Sequence, residues 1–174
     1  LRDFHEENNL ISLLESINEK KRILKTKIPL MLKISPDINE SLIEKISNIA
    51  VANSVSALIV TNTTNKNRDN LLDNQKEEPG GLSGKPLENI SNNIIRKFYK
   101  LLNNKVVIIG VGGVDSGRSA YNKIISGASL VQLYTGMIFK GPEIVKNIKM
   151  DLIKQLKLDG VNNYQEIVGK SVST

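Results

Sequence analysis

The chain contains no cysteine and only one histidine among its 174 residues. The lack of cysteine excludes disulfides, thiolate metal sites and a cysteine nucleophile within these residues. The single histidine, His5, cannot form a multi-histidine cluster, and its polar neighbours indicate an exposed position. We therefore predict no metal site and assign no catalytic histidine.

Long apolar runs and aromatic residues are also scarce. No apolar stretch approaches the roughly 20 residues that a membrane-spanning helix requires, and these residues contain no signal peptide. The net charge is +6, but the lysines are interleaved with acidic residues and aromatic residues make up only 4% of the chain. We interpret these charges as solvated helix faces and predict no nucleic-acid partner.

What the chain does contain is an alternation of short apolar runs with helical patterns. The apolar runs predict strands at 28–34, 57–60, 106–109 and 129–133. Helical spacing predicts helices at about 9–25, 37–53, 89–102, 116–126 and 142–158, with Asp37 and Glu40 as a capping-box-like start of the second helix. Residues 65–79 are polar without periodicity and predict a long loop.

Four β/α units of this kind predict an α/β fold with a parallel sheet. The alternation fits either an open doubly wound sheet or half of a closed barrel. A complete eight-stranded barrel typically needs about 250 residues, more than this chain has. Because the chain also begins at Leu1 rather than at a methionine, we interpret it as part of a longer protein.

Four short blocks carry the functional information: TNTT at 61–64, GGLSGKPL at 80–87, GVGGV at 110–114 and QLYT at 132–135. Three of them follow apolar runs, at the strand ends where parallel α/β proteins bind ligands. A dinucleotide-binding fingerprint fails because its sixth position is Asp115, and a P-loop fails because Pro79 and Pro86 occupy required positions. Gly112 and Gly113, together with Tyr134 and Thr135 after the next strand, instead predict a phosphate site built from backbone N–H groups.

With KISPD at 33–37 and GASLVQLYT at 127–135, these blocks occur in the order and approximate spacing of the dihydroorotate dehydrogenase family. The chain resembles the class 2, quinone-linked branch from Leu1 to about Gly169, and Leu82 and the KPL at 85–87 favour that branch. The resemblance implies a TIM (β/α)8 barrel. Residues 1–174 would be the C-terminal part of this single FMN-binding domain and would supply strands five to eight.

The resemblance also implies an activity, the FMN-dependent oxidation of (S)-dihydroorotate to orotate in pyrimidine biosynthesis. Ubiquinone or menaquinone would accept the electrons. The protein would be peripheral to the mitochondrial inner membrane or the bacterial cytoplasmic membrane, through an N-terminal region outside these residues. The alternatives are a soluble class 1 enzyme that uses fumarate or NAD, another FMN or sugar-phosphate barrel, and a non-catalytic half-barrel relic or interaction protein.

The resemblance assigns roles to nine residues. Asn62 and Thr63 would hydrogen-bond dihydroorotate, and the flavin would be held by Lys33, Thr61, Gly84, Gly112, Gly113, Tyr134 and Thr135. The simpler alternatives are a solvent-facing lysine at 33, a strand-ending turn at 61–64 and ordinary turns at the glycines. Class 2 relatives remove the C5 proton with a serine that would lie upstream of Leu1. We therefore assign no catalytic residue and expect no dehydrogenase activity from these residues alone.

Overall fold

The computed structural model describes residues 7–66, 68–69 and 71–172, so His5 lies outside the described residues. Within these ranges the helices are α1 (Glu7–Ile23), α2 (Glu40–Ala52), α3 (Glu88–Leu102), α4 (Gly117–Ile125), α5 (Thr135–Lys140) and α6 (Ile144–Leu158). The strands are β1 (Met31–Ile34), β2 (Ala57–Val60), β3 (Val107–Val111) and β4 (Leu130–Gln132). Short 3-10 turns cover Asn74–Glu77, Lys85–Leu87, Tyr164–Ile167 and Lys170–Val172.

The four strands form one parallel sheet in the order β1-β2-β3-β4. Each strand therefore pairs with its neighbours in sequence, and each connection contains a helix. The predicted α/β fold with four β/α units is confirmed. Because all the strands are parallel, their carboxyl ends lie at one edge of the sheet.

The two faces of the sheet differ in what covers them. One row of residues in register packs against the helices: Ile34, Val60, Gly110 and Val131. The core on this face joins α1, α2 and α3 to the first three strands, and Val131 packs beside residues of α4 and α6. Lys33, Ile59, Ile109 and Leu130 form the adjacent row, which points to the opposite face because side chains alternate along a strand.

This one-sided arrangement decides between the two predicted architectures. A doubly wound sheet carries helices on both faces, whereas a β/α barrel carries them outside the sheet and packs the other face inward. The helices described here that cover the sheet lie on a single face. The structure therefore has the layout of consecutive units of a barrel.

Two predicted boundaries were wrong. Strand β1 starts at Met31 rather than at residue 28, because Pro29 has no N–H for a ladder and Ile28 is exposed. Helix α2 is capped by Asn39, whose side chain accepts from the Leu42 N–H at 2.9 Å, and not by Asp37. The remaining predicted helices and strands are present, with both ends within two residues of their predicted positions.

Helix α5 was not predicted. It is separated from β4 by two residues and is six residues long, so it is too short to show a helical repeat in the sequence. Its side chains Ile138 and Phe139 are exposed. The chain therefore places an apolar surface immediately after the QLYT block.

Candidate functional site

A cavity of about 470 Å³ opens at the carboxyl ends of the four strands. Its volume lies within the range of about 300–1,000 Å³ that is common for small-molecule sites. All nine residues to which the sequence assigned a role line this cavity: Lys33, Thr61, Asn62, Thr63, Gly84, Gly112, Gly113, Tyr134 and Thr135. The structure thus brings together groups that lie as much as 102 positions apart in the chain, from 33 to 135.

The segment after β2 is held by the strands on both sides of it. Thr61 N–H donates to the Val111 carbonyl at 3.1 Å, and Asn62 N–H donates to the Ile34 carbonyl at 2.7 Å. Asp37 fastens the end of the segment, because its carboxylate accepts from the Thr64 hydroxyl and from the Asn65 N–H. Asp37 therefore does not cap α2, because its carboxylate instead holds the segment after β2.

Thr61 contains an unusual polar atom. The residue is 2% exposed, and its hydroxyl oxygen is buried without a hydrogen-bond partner among the described residues. A buried hydroxyl without a partner is costly in a folded protein. Because Thr61 also lines the cavity, a bound ligand is a candidate partner for this residue.

The loop after β3 is shaped for glycine. Gly112 has φ +111° and Gly113 has φ +75°, and a Cβ on Gly113 would lie 2.5 Å from the Cβ of Glu88. The loop therefore rests directly on the first turn of α3 and has no room for a side chain. Glycine loops of this kind allow an anion to approach the backbone N–H groups closely.

The GGLSGKPL block reaches the same end of the cavity from another part of the chain. The Thr135 hydroxyl donates to the Ser83 hydroxyl oxygen at 2.9 Å, which joins this block to the start of α5. Gly84 has φ +76°, and a Cβ there would lie 3.2 Å from Cγ2 of Thr135. Ser83 was missed by the sequence analysis because a serine within a glycine-rich turn has no distinctive spacing.

Three charged residues of the cavity were also missed. The Lys85 ammonium lies 2.6 Å from the Glu88 carboxylate and 3.8 Å from the Asp115 carboxylate. The Lys140 ammonium donates to the Asp115 carbonyl at 2.9 Å and lies 3.6 Å from its carboxylate. Two cations therefore flank Asp115 beside the glycine loop. Nothing in the local sequence connects Lys140 with residue 115, since they meet only through the packing of α5.

These contacts change the pKa values of the charged groups. The hydrogen bond to Glu88 raises the pKa of Lys85, although burial opposes it. Burial acts to raise the pKa of Asp115, but the hydrogen bond with Ser116 and the charges of Lys85 and Lys140 outweigh it, so that this pKa is lowered. Both groups are therefore charged at neutral pH.

The cavity wall also includes an apolar part. Tyr134 and Phe139 line the cavity and are 77% and 83% exposed. They adjoin Ile138, which is exposed on the same short helix. The site thus pairs a polar and cationic end with a large uncovered apolar surface.

Within the described ranges, no group of three or more His, Cys, Asp or Glu residues could hold a metal ion. None of the helices that the structure describes is long and apolar enough to cross a lipid bilayer.

Comparison with known proteins identifies relatives. The sequence profile of the family described as Dihydroorotate dehydrogenase matches residues 1–156. The chain is 44% identical over 142 residues to the mitochondrial dihydroorotate dehydrogenase (quinone) of Arabidopsis thaliana, covering 81% of this chain and 31% of that protein. It is 38% identical to the dihydroorotate dehydrogenase (quinone) of Roseiflexus sp., covering 99% of this chain and 48% of that protein. The chain thus spans half or less of the length of these relatives.

Solved structures agree with this result. Dihydroorotate dehydrogenase from Eimeria tenella in complex with ferulenol superposes with a TM-score of 0.93 and 31% identity, covering 99% of this chain and 50% of that chain. The ligand-free enzyme of the same organism gives a TM-score of 0.94 at 32% identity, covering 100% of this chain and 52% of that chain. The predicted fold is therefore confirmed as part of a β/α barrel. Because the profile covers most of the sequence, the chain belongs to the dihydroorotate dehydrogenase family.

Proposed function

We propose that this chain forms the FMN and substrate site of a quinone-linked dihydroorotate dehydrogenase, which oxidises (S)-dihydroorotate to orotate in pyrimidine biosynthesis. The observation that carries this proposal is that the nine residues assigned by resemblance line one cavity at four strand ends. The helices cover only one face of the sheet, and this arrangement supports a second part of the proposal. Residues 1–174 supply strands five to eight of the barrel, and four further β/α units cover its open face.

The residues of the cavity fit FMN. The buried hydroxyl of Thr61 has no partner among the described residues and can hydrogen-bond a polar atom of the flavin ring. Gly112 and Gly113 leave no room for side chains and would hold the phosphate through the backbone, with Gly84, Tyr134 and Thr135 around it. When bound, FMN would supply the hydride acceptor for the oxidation.

Lys33 supplies positive charge at the other end of the cavity. It lies in β1 on the face of the sheet that the helices leave uncovered, and it lines the cavity. An ammonium group there stabilises negative charge that develops on a bound ring system. This role is favoured over that of an ordinary surface lysine because Lys33 lines the cavity.

Asn62 and Thr63 are the substrate-binding residues of the proposal. The Asn62 side-chain oxygen accepts from the Thr63 N–H at 2.9 Å, which orients the amide and leaves its NH2 group to donate to a ligand. An amide and a neighbouring hydroxyl can satisfy the donors and acceptors of a pyrimidine ring and its carboxylate. The base that removes the C5 proton is a serine outside these residues, on the substrate face opposite the hydride acceptor.

The apolar surface of the site favours quinone as the electron acceptor. Tyr134 and Phe139 line the cavity with large exposed faces, and Ile138 adjoins them. Fumarate and NAD are polar and charged, whereas ubiquinone and menaquinone are apolar and match such a surface. A quinone pool implies peripheral association with the mitochondrial inner membrane or the bacterial cytoplasmic membrane, through a region outside these residues.

Two measurements test the proposed function. The first is a titration of the 174-residue chain with FMN followed by flavin fluorescence, in which we expect saturable binding at one site. The second mixes the FMN-loaded chain with the N-terminal half of the Roseiflexus relative and follows orotate formation with decylubiquinone as acceptor. Absence of FMN binding would refute the proposal. Activity with fumarate or NAD but not with the quinone would indicate class 1, and FMN binding without any activity in the mixture would favour a non-catalytic relic.

A further inference from the structure

Lys123 is a lysine that the proposed chemistry does not use. It lies in α4 with 0% exposure, and its ammonium donates to the Asn92 side-chain oxygen at 2.7 Å and to the Glu88 carbonyl at 3.3 Å. Lysine is almost never fully buried unless its charge is paired or hydrogen-bonded. Such a costly group in the interior requires a structural reason.

The two acceptors of Lys123 belong to the part of α3 that supports the glycine loop. Glu88 and Asn92 are one helical turn apart at the start of α3. A Cβ on Gly113 would lie 2.8 Å from the Glu88 backbone nitrogen, so the loop rests on the backbone of this turn. Glu88 therefore lies between the Lys123 ammonium and the loop that is proposed to hold phosphate.

The stem of Lys123 contacts the strand that leads into the same loop. A Cβ on Gly110 would lie 3.1 Å from Cδ of Lys123. One side chain thus touches β3 through its methylenes and the start of α3 through its ammonium. A single buried lysine links both supports of the loop.

The charges around Lys123 are arranged to hold this turn. The Glu88 carboxylate accepts from Lys85 at 2.6 Å and from the Asn122 side chain at 3.2 Å. Burial lowers the pKa of Lys123 to about 7, although the charge of Glu88 opposes the shift. Lys123 does not line the cavity, so it acts on a ligand only through the residues that it holds.

We propose that Lys123 is a positioning residue that fixes the first turn of α3 beneath Gly113, and that it thereby sets the affinity of the cavity for the phosphate of FMN. This inference rests on the proposed function. It differs from a general role in core stability because it predicts an effect on the phosphate end of the ligand alone.

Riboflavin provides the comparison that separates these roles, because it has the ring and ribityl chain of FMN without the phosphate. The experiment measures the dissociation constants of both ligands for the wild-type chain and for Lys123→Met. We expect FMN binding to weaken about tenfold, which is the lower end of the range for loss of a residue that orients a metal ligand. Riboflavin binding should change by less than about twofold, so that the ratio of the riboflavin dissociation constant to the FMN dissociation constant falls.

Asn92→Ala is the second variant, which removes the 2.7 Å acceptor of Lys123 and keeps the ammonium. It should also lower the ratio of the riboflavin dissociation constant to the FMN dissociation constant. The double variant should lower this ratio no further than Lys123→Met does, because the two residues act as a unit. The matched control is Ile124→Ala on the same helix, since Ile124 packs with Tyr121 and Ile167 away from the loop. This control should lower the melting temperature and leave the ratio unchanged.

The outcomes are distinguishable. An unchanged ratio in both Lys123→Met and Asn92→Ala, with normal FMN binding by the wild-type chain, would overturn this inference and leave the proposed function intact. An equal fall of the ratio in Ile124→Ala would overturn it as well, because the effect would then be one of general stability. Failure of the wild-type chain to bind FMN would refute the proposed function and this inference with it.

Discussion

Thr61 and Gly113 illustrate, at the scale of the residue, how the fold prepares the cavity for a ligand. Thr61 keeps a buried hydroxyl without a partner among the described residues. Gly113 keeps a positive φ that residues with a side chain rarely adopt, and it packs on Glu88 without room for a Cβ. Both features are costly to the chain alone, and a ligand that uses the hydroxyl and the backbone would offset the cost.

Replacing Thr61 with valine should weaken FMN binding without loss of stability. The change removes one hydrogen-bonding group, which is worth about 1 kcal/mol or about fivefold in affinity. The free energy of unfolding should stay constant or rise, because a buried unpartnered hydroxyl is replaced by a methyl group. Flavin fluorescence titration and urea unfolding measure both effects. Thr26→Val, outside the cavity, is the control, and unchanged FMN affinity in Thr61→Val would contradict the assigned role.

The glycine at 113 should tolerate alanine far less than the glycine at 160. Both have positive φ values, +75° and +69°, but nothing lies within 4 Å of a Cβ on Gly160. Gly160→Ala should therefore cost only the backbone strain, about 1 kcal/mol, whereas Gly113→Ala adds the clash with Glu88, typically about 1–3 kcal/mol more. Urea unfolding of the two variants compares these costs. Equal costs would show that the loop does not rest on α3.

The stability of the chain should rise with pH above neutrality because of Lys123. Its pKa is about 7 in the folded chain and 10.5 in the reference state. At pH values between these two pKa values, Lys123 is protonated in the unfolded chain and mostly deprotonated in the folded chain. Because the unfolded chain then binds more protons, the free energy of unfolding increases as the pH rises. The Lys123 contribution between pH 7 and 9 should be about 2 kcal/mol, with Glu88, Arg96 and Lys85 as the charges that face this group. Urea unfolding at several pH values in this range measures the increase in the free energy of unfolding. In Lys123→Met this increase should be smaller by about 2 kcal/mol. An identical slope in the variant would contradict the assignment.

At the scale of the element, the long connection from β2 to α3 is ordered by its own contacts rather than by periodic structure. Arg68 donates to the carbonyls of Lys76, Glu78 and Gly80. The connection returns to the cavity where Thr64 pairs with Leu82 as an isolated antiparallel bridge. Gly81 then packs directly on the Thr63 side chain. The loop therefore supports the proposed substrate residues from outside the sheet.

Removing the Arg68 side chain should open this connection to proteolysis. In Arg68→Ala the three carbonyls lose a common donor, so the backbone around Glu77 and Glu78 becomes more accessible. We expect cleavage after these glutamates by a glutamate-specific protease to be several-fold faster than in the wild-type chain. Lys66→Ala, at an exposed position in the same connection, is the control. Equal cleavage rates in all three proteins would show that Arg68 does not order the loop.

At the scale of the whole molecule, the sheet has one covered and one open face. The open face carries Met31, Val107 and Leu130, which are 48%, 43% and 54% exposed. Among the described residues, β1 and β4 each have one edge without a pairing strand. Such edges and apolar faces promote association with other chains.

The chain alone should therefore be prone to association and inactive as a dehydrogenase. Sedimentation should detect species larger than a monomer, and the FMN-loaded chain should form no orotate. Addition of the N-terminal half of the Roseiflexus relative should raise the melting temperature by covering the open face. A monomeric chain that reduces its flavin with dihydroorotate would contradict this prediction and would place the catalytic base within these residues.

The elements and the positions of the site were determined by the sequence itself, because they depend on local properties. Apolar runs and helical spacing predicted all four strands, with β2 at its observed ends. Local chemistry indicated a phosphate site at Gly112, Gly113, Tyr134 and Thr135, and the resemblance to the dihydroorotate dehydrogenase family extended the set to nine residues, all of which line one cavity. Strand ends, glycine turns and helix periodicity involve neighbours in the chain, so their physics can be inferred without the fold.

Only the tertiary structure decided which distant groups meet. Asp37 contacts Thr64 instead of capping a helix, Lys140 reaches Asp115, and Lys123 is enclosed beneath the glycine loop. The placement of the helices on one face of the sheet also could not be inferred from the alternation of strands and helices. Each of these depends on packing between segments that are remote in sequence, where burial and geometry, rather than local preference, determine the free energy.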